Sequence, residues 1–269
     1  MPVPIDILSR RLLSNAGQNG AVCLMYHSIC QGNSKPESDW TVAFDTFKRQ
    51  LDVIADYDWT SLTVSNYAKC KNPSPRTVIL TFDDGYENNF PAVEELAARG
   101  MTATWYVVTN DIGRHSSWKN SGQKPILNAT QLIEMASAGM EIGSHSCTHP
   151  PLNSLCTDSI REELYKSKIT LETTLNQEVT SLAYPYGIYN SEVVTTAKEL
   201  GYTSAVSTHC GFGLVDNNPL LMRRVTITAK DTPSSFARKL AFADNNVGAA
   251  MVTRYGLSRV GQKLFRSTR

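Results

Sequence analysis

The chain has 269 residues, 41% hydrophobic and 19% charged, an ordinary composition for a globular protein with a full core. Its 26 basic and 25 acidic residues leave a formal net charge of +1, which argues against nucleic-acid binding driven by bulk electrostatics and favours a neutral glycan or small molecule as partner. No apolar run approaches the roughly 18 residues of a membrane span. The N-terminal stretch carries Arg10 and Arg11 after its only apolar patch, with no long hydrophobic region behind them; it is a poor secretory signal, so a cytoplasmic location is expected.

Taken in chain order, short apolar runs alternate with amphipathic helical patterns. Ala21–His27 reads as a strand, and Phe44, Phe47, Leu51 and Ile54 mark one face of a helix. Thr77–Phe82 is a strand running into Asp83-Asp84-Gly85. A helix follows over Pro91–Arg99, with Gly100 as its stop signal. Ala103–Val108 reads as a buried strand, in which Trp105 is expected to serve the core. Residues 109–127 form a long polar loop of the kind used as lids or substrate-binding segments.

The next helix has a start signal: Asn128 can cap it, and Gln131 stands three positions on, as in a capping box. Leu132, Met135 and Ala136 form its apolar face and Gly139 ends it. Glu141–Ser144 is then a short strand leading into His145. Ser159–Leu175 reads as a longer helix; Ser181–Tyr184, a helix after Asn190, Ser204–Ser207 and Arg224–Thr228 continue the alternation. Such alternation argues for a parallel α/β architecture, in which the C-terminal ends of the strands carry the chemistry. The six cysteines are scattered without a C-x-x-C pair; free thiols are expected, and a cysteine-built zinc site is not.

The two richest polar motifs both follow predicted strands. His145 and His149 are four apart, a spacing that sets two imidazoles on one side of a helical turn where both can reach one ion. A bare H-x-x-x-H is more often an unliganded pair, but here Pro150 bounds it and marks a loop entry. Asp83 and Asp84 are adjacent carboxylates, costly to bury without a cation. Neighbours in a regular strand face opposite ways, so for both to serve one site the chain must leave strand geometry, which Gly85 permits. A surface Asp-Gly turn is the bland alternative. Together, one Asp and two His make a three-ligand facial set with open positions, and a second carboxylate can act as base. These parts describe metal-assisted hydrolysis of an amide or ester.

Thr81–Gly85 followed by Ser144–Pro150 resembles the first two motifs of the polysaccharide deacetylases, the NodB-homology group of carbohydrate esterases. Ala183–Gly187 is similar to the third motif and Leu221–Ile227 to the late Arg-containing strand. The resemblance runs from about His27 to Ile227 and implies a single-domain α/β fold, a deformed (β/α)7-type barrel. It implies an N-terminal extension (1–19), a catalytic domain (20–242) and a basic tail (243–269). It also implies roles: Asp83 as general base; Asp84, His145 and His149 holding a divalent metal, commonly zinc though the family uses others; and the Tyr186 N–H stabilising the oxyanion.

Two departures stand out. Ala183 and Tyr184 occupy the region where the third motif often carries a base-orienting Arg, leaving Arg224 as the candidate. The late Leu-x-His motif is missing, and no histidine follows His209. Met25–His27 resembles the early Tyr-His of the poly-N-acetylglucosamine deacetylases, whose motif order is circularly permuted, so His27 is the expected acid and His209 the alternative. His115 lies in the polar loop, and Trp118, Tyr186 and Tyr189 are candidates for stacking on sugar.

The implied activity is removal of N-acetyl groups from an amino-sugar glycan or a lipid-linked precursor. A small-amide hydrolase and a catalytically silent glycan-binding relative are the other readings; the intact Asp83, Asp84, His145, His149 set argues against the last. The basic tail, with Arg254, Arg259, Lys263, Arg266 and Arg269, is ordinarily a solvated helix, peripheral membrane contact being the alternative.

Overall fold

The computed structural model describes residues 3–30, 36–214 and 217–248. The five basic residues of the tail lie outside the described residues, and with them the suggestion of membrane contact there.

The core is one parallel sheet. Its strands are β1 (Val22–Tyr26), β4 (Thr60–Leu62), β5 (Thr77–Phe82), β6 (Thr104–Val107), β7 (Glu141–Ser144), β8 (Ser181–Ala183), β9 (Ser204–Val206) and β10 (Val225–Thr226). The path runs β10-β1-β5-β6-β7-β8-β9, with β4 beside the first half of β5 and β6 beside its end. All five residues of β1 and all six of β5 are buried, as a parallel sheet covered on both faces requires. The segment before β10 reaches the far edge: Met222 bridges Val206 in parallel, and the Ser207 N–H donates to Met222 O at 2.8 Å. Three residues later Val225 pairs with Leu24 of β1. The sheet therefore curls into a deformed barrel closed through 222–226.

Helices α1 (Ile7–Ser14), α2 (Phe44–Asp56), α3 (Val64–Lys69), α4 (Ala92–Ala98), α5 (Ala129–Ser137), α6 (Thr157–Leu175), α7 (Ser191–Glu199) and α8 (Pro233–Phe242) accompany the sheet. Where local chemistry is explicit the boundaries follow it. The capping box at α5 is complete, with Asn128 Oδ1 accepting from the Gln131 N–H and Gln131 Oε1 from the Asn128 N–H. Asn190 caps α7 one way only, its Oδ1 accepting from the Val193 N–H at 2.9 Å. Thr232 caps α8 ahead of Pro233, whose missing N–H costs nothing at a first helical position.

Helix α1 packs on α8, and Val3, Ile5 and Leu13 join the main core. Trp105 is core, its ring stacked on Phe82 at 4.4 Å. A small ribbon, β2 (Ser28–Cys30) with β3 (Thr41–Ala43), stands just past the end of β1. None of the six cysteines, all among the described residues, is in a disulfide. No helix of the described residues is long and apolar enough to cross a membrane.

Candidate active site

Seven side chains or turns gather at the C-terminal ends of the strands. His27 follows β1, Asp83 and Asp84 follow β5, His145 follows β7, Tyr186 follows β8, Thr208 follows β9, and Thr226 ends β10. All line one cavity of about 830 Å³.

The exit from β5 explains how adjacent carboxylates share it. Asp84 has φ 73° and Gly85 φ 78°, so the alternation of a strand ends at Asp83 and both side chains face inward. Glycine is needed twice over at position 85: a Cβ there would lie 3.0 Å from Val107 Cγ1 and 3.2 Å from its Cα.

Asp84, His145 and His149 converge. Both Nε2 atoms lie 3.5 Å from Asp84 Oδ1, and one donor atom from each residue falls within 4.8 Å of the others. A separation of 3.5 Å is long for a hydrogen bond; the three atoms face a common point more than one another. His145 Nδ1 bonds Ala183 O at 2.8 Å, which makes Nδ1 the donor and leaves the Nε2 lone pair free for an ion. One carboxylate and two imidazoles, all buried and with no cationic side chain among them, fit a divalent metal. Burial is the main influence on His149 and brings its pKa down to about 4, which favours the neutral ring that ligation requires.

The histidine spacing works differently from the helical turn inferred from sequence. Residues 145–151 are not helical; the chain loops, with Ser146 and His149 both at φ 62°. The four-residue spacing is met by two left-handed residues, not by one turn of helix.

Asp83 is held by a fork. Arg224 Nη1 and Nη2 donate to its two carboxylate oxygens at 2.6 and 2.7 Å, while Nε donates to Ser207 O at 2.8 Å and Nη1 also to Thr81 Oγ1 at 3.1 Å. Burial pushes the Asp83 carboxyl up, but the Arg224 guanidinium outweighs burial and leaves the group below the usual carboxylate range. The cation absent from the third motif thus arrives from the segment before β10.

His27 also faces the cavity. Its Nδ1 is buried without a partner, and burial, only partly opposed by Asp84 and Asp83, lowers its pKa. His209 does not line the cavity; its ring packs against Tyr189 at 5.9 Å and its Nδ1 lies 3.4 Å from Ser207 Oγ. Tyr186 has φ 59° at the second position of a one-turn 3-10 helix (Pro185–Gly187), where a backbone N–H has no preceding intrahelical acceptor.

Trp118 and Tyr186 line the cavity, with rings 5.0 and 4.6 Å from that of His149. Tyr189 does not; it packs on Tyr184. His115 is exposed and away from the cavity. Trp40, which carries no motif in the sequence, is half-exposed and also lines the cavity, its ring 4.8 Å from His27. The only signal for it is indirect: it directly precedes the strand that pairs with β2, next to His27.

The family described as polysaccharide deacetylase matches residues 70–205. YxkH of Bacillus subtilis, a protein named after the same family, is 32% identical over 218 residues, covering 79% of this chain and 73% of its own. A Staphylococcus aureus poly-beta-1,6-N-acetyl-D-glucosamine N-deacetylase is 26% identical over 239 residues, 74% of this chain and 79% of its own. Among solved structures, the Streptococcus pyogenes deacetylase PplD in complex with acetate is 28% identical, with a TM-score of 0.72 over 82% of this chain and 97% of its own.

Proposed function

The chain belongs to the polysaccharide deacetylase family, and from that premise we propose that it hydrolyses the N-acetyl amide of an amino-sugar glycan or glycan precursor. The observation that carries the reading is the convergence of Asp84, His145 and His149 beside an ionised Asp83 in one cavity. A divalent ion held by those three, zinc or another, supplies charge that acidifies a water and polarises the acetyl carbonyl.

The remaining work falls to the chain. Asp83 takes the proton of the attacking water, and the Arg224 fork keeps it ionised and aimed. The water oxygen adds to the acetyl carbon, and the Tyr186 N–H donates to the oxygen on which negative charge develops. His27 delivers a proton to the amide nitrogen as the C–N bond breaks, releasing acetate and a free amine. Its place on the cavity wall supports it over His209, which does not line the cavity. Trp118 and Trp40, both lining the cavity, suit a sugar chain better than a small amide.

The test is acetate release from N-acetylglucosamine oligomers and from small amides, after chelation and after metal add-back, with Asp83→Asn alongside. Oligomers should be deacetylated only with metal. Asp83→Asn should retain metal and lose about 10²- to 10⁴-fold in turnover. A fully active Asp83→Asn removes the base assignment, and oligomers left intact under every condition remove the glycan reading.

A further inference from the structure

Two of the three ion ligands ride on one loop, and they are secured unequally. The His145 ring is tied to Ala183 O. The His149 ring has no such tie, since its Nδ1 is buried without a partner. The usual device for orienting a ligating imidazole, a hydrogen bond to its second nitrogen, is missing there. The position of His149 therefore depends on the backbone of residues 146–149, in which Ser146 and His149 both hold left-handed φ values that non-glycine residues adopt only when surrounding contacts impose them.

Those contacts come from the loop itself, where Ser146 Oγ accepts from the His149 N–H at 3.0 Å, and from outside the cavity, above all from α6. Glu163 Oε2 accepts from the Cys147 N–H at 2.9 Å and the Thr148 N–H at 2.8 Å, and Oε1 accepts from Thr148 Oγ1 at 2.6 Å. One helical turn on, Ser167 Oγ lies 2.7 Å from Ser144 Oγ, which accepts from the Ser146 N–H. On the other side, the Thr109 and Asn110 N–H groups donate to Ser146 O and Cys147 O. The single carboxylate among these contacts takes up both N–H groups at the apex of the loop.

We propose that Glu163 is a positioning residue for the ion site, a clamp that fixes the 146–149 turn and through it the reach of His149 toward Asp84. This rests on the reading of Asp84, His145 and His149 as ion ligands. Glu163 does not line the cavity and takes no part in the chemistry; its contribution is that the loop is already ordered when the ion arrives.

The experiment is chelator competition for zinc and cobalt, with a melting curve of each metal-free protein. Glu163→Ala should weaken ion binding by about 10- to 100-fold, the range for lost outer partners of ligands, while the metal-free protein still melts cooperatively. Glu163→Gln should retain most of the affinity, because its carbonyl can accept both N–H groups and its amide can donate to Thr148 Oγ1. Glu162→Ala, which removes only an exposed pair with Lys166, should change nothing.

Unaltered affinity in a folded Glu163→Ala overturns the clamp alone. Wild-type protein that binds neither ion overturns the site reading and the clamp together. Should Glu163→Ala fail to fold, Thr148→Val removes one of the three bonds and should cost about five-fold in affinity; no loss there is equally fatal.

Discussion

Replacing Arg224 by Met should convert the ionised Asp83 into a protonated one, with consequences for stability and rate that have opposite pH signatures from the wild type. Both side chains are buried, and the fork makes four bonds, two of them to Asp83. Removing one partner of a buried ion pair costs about 3–5 kcal/mol, because the other charge is left uncompensated. If protonation relieves all of that, it corresponds to an upward shift of about 2–4 pKa units at 1.36 kcal/mol per unit.

The sign follows from which way the folded pKa moves. In the wild type the Asp83 pKa is depressed, so its contribution to stability is present above the unfolded carboxylate pKa and lost as pH falls through the folded one. In Arg224→Met it is raised, so the contribution is present below the unfolded value and lost as pH rises through the folded one. The penalty of the substitution should therefore be larger near pH 7 than near pH 4. Urea denaturation of both proteins in chelator, at the two pH values, measures it. The acid limb of kcat/KM should move upward correspondingly. A penalty independent of pH, with the acid limb unmoved, refutes the assignment of Arg224 as the cation that holds Asp83 ionised.

Two further outcomes are expected. His27→Ala should lower turnover by about 10²- to 10⁴-fold with metal content unchanged, whereas His209→Ala, outside the cavity, should be close to wild type; the reverse pattern gives the acid role to His209. Trp40→Ala should raise KM for oligomers by about two- to twelve-fold, the equivalent of about 0.5–1.5 kcal/mol for an aromatic contact, and leave the shortest substrates little changed. An unchanged oligomer KM removes Trp40 from substrate binding.

Much of this architecture is legible from local signals. The β5 span, the capping box of α5 and the Asn190 cap are written within a few residues of where they act. Strands β2, β3 and β4 are three residues each and partly exposed, so they lack the fully buried run that marks the equally short β8 and β9, and the six-residue α3 fares no better.

The site divides in the same way. Asp83, Asp84, His145 and His149 stand out because each polar motif directly follows an apolar run. The four-residue spacing of His145 and His149 suggests a helical turn because nothing in Ser146 or His149 announces a left-handed backbone. Glu163 looks like any charge on a helix surface; only the fold brings it under the Cys147 and Thr148 amides. Trp40 reaches His27 through the pairing of β2 with β3, which pattern reasoning had no means to register.

The Asp83–Arg224 contact spans 141 positions of sequence. Long loop closures are slow and come late in assembly. A growing polypeptide that has made β1 to β7 and the loop that follows already owns the three ion-binding groups, yet its base stays disarmed until the final strand docks and closes the ring. Hydrolytic competence thus reports completion of the whole topology, so that recovery of turnover on refolding should lag behind recovery of ion binding.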